Sequence, residues 1–318
     1  MTNKEIYRKH CESTDEIILF QQPWWLDVIC GSAAWDVVIS TEKDGRLQGA
    51  LPYFFQSRYG FTLLRQPTLT PYLGIIFQYP LRLTKISRKY AFEQKVVEDL
   101  IRQLPAYSYF NQHFHPSFTH GQALHWTGMN QSTYYSSQID IKQSLETIYN
   151  NFEGSVRTDI RKAEAQLSLE MADDVSRFYE LSQKSFQAQS KNAPYDLELL
   201  LRLDAELSSR SKRDILLAVD KEGRAHAGIY IVKENGTLYT LMMGSDPDLR
   251  QSGAVSFLMW RLIKLYHKDY ETLDFCGSMI QSIQRLFRSF GSMQMPYLRI
   301  YHKRGLFKFI NALTLRGE

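Results

Sequence analysis

A hairpin signature near the start of the chain recurs 178 residues later, either as two ordinary hairpins that match by chance or as one unit present twice. Asp36-Val-Val-Ile-Ser-Thr-Glu-Lys-Asp-Gly45-Arg46 aligns with Asp214-Ile-Leu-Leu-Ala-Val-Asp-Lys-Glu-Gly223-Arg224, and Lys43/Lys221, Gly45/Gly223 and Arg46/Arg224 coincide. Each copy reads as an apolar strand, a tight acidic-glycine turn and a second strand. Gly60 and Gly236 mark a further turn in each copy. Pro71 and Pro247 come 11 residues after them, with Leu73 and Leu249 at the same offset as the prolines. An internal duplication is the reading.

The segments downstream of the two hairpins agree with it. In the second half, Val255, Leu258, Met259, Leu262, Ile263 and Tyr266 give 252–267 a helical period. A strand over 272–276, a helix over 279–290 and a strand over 296–302 complete that half. In the first half a helix over 90–103 precedes an aromatic strand over 106–114. Three helical stretches, 144–166, 174–189 and 196–209, lie between. The expectation is an α/β (α+β) chain of two mixed units, residues 1–140 and 141–318, each with a mainly antiparallel sheet flanked by helices.

Composition removes several classes. The balance of 38 basic to 34 acidic side chains is too mild for bulk attraction to nucleic acid, and no DNA partner is expected. It leaves room for one local basic site. The 3 cysteines form no CxxC pair, the usage of a reducing compartment. No apolar run is long enough to span a membrane, and Met1 to Glu16 is charged throughout, unlike a signal peptide. A cytoplasmic protein is the expectation.

Three motifs carry a family resemblance. They are Arg157-Thr-Asp-Ile-Arg161-Lys162-Ala163-Glu164, Leu273-Asp274-Phe275-Cys276-Gly277-Ser278 and Leu286-Phe287-Arg288-Ser289-Phe290-Gly291. In order and spacing they resemble the Arg-rich helix, strand-to-helix junction and Phe-Lys…Phe-Gly element of the FemABX-like aminoacyltransferases. That family pairs two domains of the Gcn5-related N-acetyltransferase (GNAT) fold. The resemblance covers about 20–303 and implies tandem GNAT-like domains and acyl transfer to an amine.

Such transfer needs an activated acyl donor, a neutral amine and stabilisation of an oxyanion, but no metal and no covalent nucleophile. His113 and His115 share a strand face yet lack a third ligand, so packing is the reading and no metal is expected. Cys276 has no His or Asn motif beside it and reads as a structural thiol. At the donor side, GNAT enzymes place a pyrophosphate-binding loop where this chain has Arg250, Gln251, Ser252, Gly253 and Ala254, opening a helix. Val255 departs from that pattern, because a small residue is expected there. A plain helix start with Ser252 as N-cap is the other reading. Acyl-CoA and aminoacyl-tRNA both stay open as donor.

On the acceptor side, Arg157, Arg161 and Lys162 make a basic stripe beside an apolar one, either a solvated face or an anion clamp. The resemblance assigns Arg157 to a nucleotide- or lipid-linked substrate, which suggests a phosphorylated cell-envelope precursor. Asp274 reads as a general base or as a partner of loop N–H groups. Tyr239 and Tyr297 are expected to flank the acyl site, as acids or as packing. Phe287 and Arg288 match the family's Phe-Lys pair. Arg keeps the charge but cannot shuttle a proton, so its action would be electrostatic. The segment from His302 to Ile310 mixes bases with apolar residues, as for weak contact with an anionic membrane or for docking on the second domain. The readings are therefore a FemAB-like acyltransferase, a coenzyme A-dependent N-acetyltransferase on a small metabolite, or a non-catalytic GNAT-like binder.

Overall fold

The repeated hairpins match down to their irregularities. The computed structural model describes residues 1–81 and 83–309. The chain runs α1 (Asn3–Glu12), α2 (Pro23–Cys30), β1 (Trp35–Thr41), β2 (Leu47–Arg58), β3 (Phe61–Arg65), β4 (Ile76–Phe77), α3 (Ile86–Gln103), β5 (Tyr109–His113), α4 (Gly121–Trp126) and β6 (Asn130–Asp140). It continues through α5 (Leu145–Asn151), α6 (Gly154–Glu164), β7 (Ser168–Ala172), α7 (Val175–Gln187), α8 (Leu197–Ser209), β8 (Arg213–Val219), β9 (Ala225–Glu234) and β10 (Thr237–Ser245). Last come α9 (Ala254–Tyr266), β11 (Thr272–Asp274), α10 (Gln281–Ser289) and β12 (Met293–Lys303).

The β1–β2 register slips between Ser40 and Thr41, and the β8–β9 register slips between Ala218 and Val219, the same offset of 178. The turns match as well. Glu42 N–H donates to Arg46 C=O as Asp220 N–H donates to Arg224 C=O, while Arg46 pairs with Glu42 and Arg224 with Asp220. Gly45 and Gly223 sit at φ 87° and 79°, which is why the turn needs glycine. The correspondence stops at the prolines. Pro247 opens a 3-10 turn (Pro247–Ser252), whereas Pro71 lies outside any helix.

Each half then makes a parallel crossover, β3–α3–β5 and β10–α9–β11, since parallel neighbours need a long connection. The last strands are exchanged between two compact units. One unit comprises residues 1–134 with the described chain from Pro296 on, and the other is Tyr135–Met295. In the first, the order is β1-β2-β3-β5-β12, with β4 on β2. In the second it is β6-β11-β10-β9-β8-β7. All pairs but the crossover ones are antiparallel.

Several sequence expectations are corrected. The helix expected over 144–166 is two, α5 and α6. Phe152 is extended (ψ 143°) and buried, and Glu153 N–H donates to Ser289 C=O. Strand β7 comes next, where none was expected. Helices α1 and α2 were not foreseen, although Thr2 and Glu5 form a capping box. The carboxyl-terminal segment docks on the first unit, not the second, because Phe307 stacks on Tyr109 with ring centroids 5.3 Å apart. Leu306 is exposed, and Ile310 lies outside the described residues.

The second core gathers α5, α6, α9 and α10 around Phe152, whose ring meets Trp260 at 5.7 Å and Phe290 at 5.6 Å. In the first, burial pushes the His113 and His115 imidazoles down to about 4, helped at His113 by Arg299. Two outcomes are expected. Phe152→Ala costs about 3–5 kcal/mol in denaturant unfolding, the range for losing a buried aromatic ring. The two histidines stay neutral in the folded state, while unfolded ones take up protons below about pH 6.5. Stability from them is thus complete above that pH and is lost as pH falls towards 4. His115→Gln should flatten the fall in melting temperature across that window, and an unchanged slope would contradict the assignment.

Candidate functional site

Strand β11 ends on a carboxylate that is 1% exposed. Asp274 stands opposite Tyr239 on the parallel neighbour β10 and opposite Gln138 on the antiparallel neighbour β6. Its Oδ1 accepts from the Ser136 hydroxyl and from Cys276 N–H at 2.7 Å, and its Oδ2 accepts from Gln138 Nε2 at 2.8 Å. A buried carboxylate is tolerable only when it is hydrogen-bonded in this way. The bond to Cys276 also holds a turn in which Cys276 and Gly277 are both left-handed, at φ 60° and 71°. Asp274 is therefore tied to its own loop.

The turn delivers α10. Phe287 faces inward, 4% exposed, and stacks on Phe275 at 4.4 Å, which anchors the helix. The outer side of α10 lines a cavity of about 310 Å³ with Gln281, Gln284, Arg285 and Arg288. Ser137, Ser292 and Gln294 complete the lining, so every lining residue is Ser, Gln or Arg. Gln284 is fixed: its Oε1 accepts from the Ser137 hydroxyl at 3.1 Å and its Nε2 donates to Ser278 C=O at 2.6 Å. Arg285 and Arg288 are exposed. Neither has a hydrogen-bond or ion-pair partner among the described residues. Two unpaired guanidinium groups three residues apart, in a lining that holds no carboxylate, offer the forked donors that carboxylates and phosphates accept. Sequence reasoning found Arg288 but missed Arg285 and the glutamines. The signal was present, since 281, 284, 285 and 288 form one helical stripe of polar residues.

The basic stripe of α6 is placed elsewhere. Arg157 Nη1 donates to the carbonyls of Asn150 at 3.0 Å and Phe152 at 2.6 Å, closing the end of α5. Arg161 is exposed and reaches Thr158 Oγ1 at 3.3 Å. Lys162 Nζ donates to Gln251 C=O, and Gln166 Nε2 to Ser252 C=O at 3.3 Å. Thus α6 grips the loop that opens α9. The N-cap of α9 is Gly253, not Ser252, whose hydroxyl donates back to Leu249 C=O at 2.7 Å. A Cβ on Gly253 would lie 2.5 Å from the Asp159 carbonyl oxygen, so close packing against α6 requires the glycine here. Ser252 and Ala254 are buried, Arg250 is exposed, and Val255 packs against the core.

The two candidate tyrosines fall in different units. Tyr239, in the second, is 4% exposed. Burial, with Glu234 and Asp274 nearby, holds its hydroxyl well above the usual range, so it stays protonated. Tyr297 is in the first unit, packed on Tyr72 at 5.3 Å, His113 at 5.7 Å and Tyr134 at 5.9 Å. Burial likewise pushes the Cys276 thiol far up, away from the thiolate a nucleophile needs. Among the described residues no group of three His, Cys, Asp or Glu side chains is disposed to hold a metal.

Residues 150–280 match a family model described as an acetyltransferase (GNAT) domain. The chain is similar to the crystal structure of FemX, with a TM-score of 0.65 at 13% identity, covering 94% of this chain and 96% of that one. It is also similar to the C-terminal domain of a putative lysylphosphatidylglycerol synthetase from Agrobacterium fabrum, with a TM-score of 0.53 at 13% identity over 93% and 90% of the two chains. For L-PGS from Bacillus licheniformis the TM-score is 0.51 at 10% identity over 85% and 86%. No curated protein sequence matches the chain. The matched domain brings with it the requirement for an acyl donor. Residues 150–280 thus match a GNAT acetyltransferase domain, and the chain shares its fold with FemX.

Proposed function

We propose that the second unit transfers an aminoacyl or acyl group from an activated ester to an amine on an anionic, phosphorylated acceptor, such as a lipid- or nucleotide-linked envelope precursor. The observation that carries this reading is the cavity beside α10, where Arg285 and Arg288 meet neutral polar groups and no acid. Acyl transfer places negative charge on the carbonyl oxygen, and a fixed guanidinium stabilises that charge without itself giving up a proton. In this reading Arg288 serves the oxyanion and Arg285 a phosphate of the bound partner. No lining residue can take up a proton at neutral pH, so the amine reacts in its neutral form. The C–N bond replaces the ester C–O bond, and the proton the amine loses passes to the departing ester oxygen, which leaves as a hydroxyl. Asp274 and Phe287 act by holding α10 in place, and Tyr239 supplies a protonated hydroxyl beneath the junction. The halves 1–140 and 141–318 are then copies of one GNAT-like unit in which only the second kept the basic stripe, since α4 has no Arg or Lys.

The donor we assign is an aminoacyl-tRNA, in a cytoplasmic setting. The β-branched Val255, at the position where a pyrophosphate loop needs a small residue, supports this. One neighbour is named for lysylphosphatidylglycerol, a product that pairs an amino acid with an anionic lipid. The match to an acetyltransferase model favours coenzyme A as the rival donor. Purified full-length protein, given labelled aminoacyl-tRNA or labelled acetyl-CoA with phosphorylated amine acceptors, distinguishes them. Label is expected to move from the tRNA. Arg288→Ala should slow transfer about 100-fold, as for loss of one oxyanion donor, and Arg288→Lys should recover much of the rate. Transfer from acetyl-CoA alone would overturn the donor assignment, and an Arg288→Ala variant as fast as wild type would remove Arg288 from the mechanism.

A further inference from the structure

Helix α3 begins well before the core it serves. Its buried side is formed by Glu93, Val96, Val97, Leu100 and Ile101. Ile86 and Tyr90 stand seven residues ahead of Glu93 and Val97, about two helical turns, and so lie on that same side. The core does not cover them: Ile86 is 70% exposed and Tyr90 53%. The chain leading into the helix extends this surface. It turns from Pro80 to Leu83, whose N–H donates to Pro80 C=O at 3.0 Å, and Leu81 within the turn is fully exposed. Tyr79 is exposed as well, with its ring 5.7 Å from that of Phe92 on α3. A single exposed apolar side chain needs no account, but four within 12 residues do.

The charge around these residues has one sign. Residues 78–92 carry four basic side chains and no acid. Lys85 and Arg88 are exposed and have no hydrogen-bond or ion-pair partner among the described residues. Lys89, also exposed, is partly engaged, at 3.7 Å from Glu93 and 4.8 Å from the Tyr79 ring. A helix favours acids in its first turn and bases in its last, because its N-terminus is the positive end. The first turn of α3 has no acid, and no side chain caps it. Bases gathered at such an end repel it unless an anion lies against them. Bases interleaved with protruding apolar side chains are the pattern of a surface that rests on an anionic lipid bilayer. We propose that the start of α3, together with the turn at Leu81, docks on such a bilayer. Leu81 and Ile86 enter its apolar boundary, Tyr90 lies at the headgroup level, and Lys85 and Arg88 meet lipid phosphates. A nucleic acid would engage the bases but leave Leu81 and Ile86 in water, so the observations favour lipid. The surface belongs to the first unit and does not depend on the acyl-transfer reading of the second.

The test is sedimentation of the full-length protein with vesicles of phosphatidylcholine alone and of phosphatidylcholine mixed with an equal amount of phosphatidylglycerol. Binding to the mixed vesicles is expected to be saturable, at least about tenfold tighter than to the neutral ones, and weaker as salt is raised. Replacing both bases, Lys85→Gln with Arg88→Gln, should weaken it about thirtyfold, the effect of two charges near an anionic surface. Replacing both apolar residues, Leu81→Gln with Ile86→Gln, should weaken it at least about tenfold through lost contact with the acyl boundary. All four side chains are exposed, so both variants should keep the wild-type melting temperature. No binding, or equal binding to the two kinds of vesicle, overturns the proposal. So does a loss that follows the charges but not the apolar pair, or tighter binding to single-stranded RNA than to the mixed vesicles. Vesicle binding lost only in Arg285→Ala with Arg288→Ala would also overturn it, because the contact would then lie in the second unit.

Discussion

A carboxylate shut away from water sets the geometry of the second unit. Asp274 draws donors from two directions, Ser136 and Gln138 on β6 and the backbone of Cys276 in the turn. Removing any of these leaves part of a buried charge unpaired, which is far costlier than the bond is worth in water. The carboxylate thereby welds β6 to β11 and fixes the left-handed turn that aims α10. The stack of Phe287 on Phe275 sets the helix's rotation, and that rotation turns Arg285 and Arg288 outward. In the proposed reaction Asp274 serves as a positioning residue, holding the helix that carries the two arginines.

The two halves share a frame and differ in what surrounds it. Both halves keep the hairpin, its bulge and the crossover, all set by short-range turn chemistry and strand twist. They part where function enters. The second half inserts α5 to α8 before its hairpin, and α6 then clamps the loop ahead of α9 through Lys162, Gln166 and the close contact at Gly253. The carbonyls of that loop are thereby part of the packing.

The legible parts of the sequence were the local ones. The acidic-glycine turns and the periods of α3 and α9 depend on neighbours in the chain, so their residues announce them. The exchange of last strands was hidden, because the partners of β6 and β12 are chosen by tertiary pairing. The break at Phe152 was hidden as well: Val156, Ile160 and Ala163 continue an apolar stripe across it, and the bonds of Arg157 to two carbonyls replace the missing helical ones. The packing of Gly253 against Asp159 was hidden too, because that contact comes from another helix. At the site, Arg288 was visible through its motif. Arg285 was visible only through helical spacing, a signal that looks the same as a solvated face until the cavity is seen.

Equilibrium binding to the two candidate donors tests the central claim most directly. Full-length protein is predicted to bind aminoacyl-tRNA, replacing Arg285 and Arg288 together by alanine to weaken this binding, and coenzyme A to give no saturable signal. Saturable binding of coenzyme A that Arg250→Ala abolishes and the Arg285/Arg288 double variant leaves intact would contradict it.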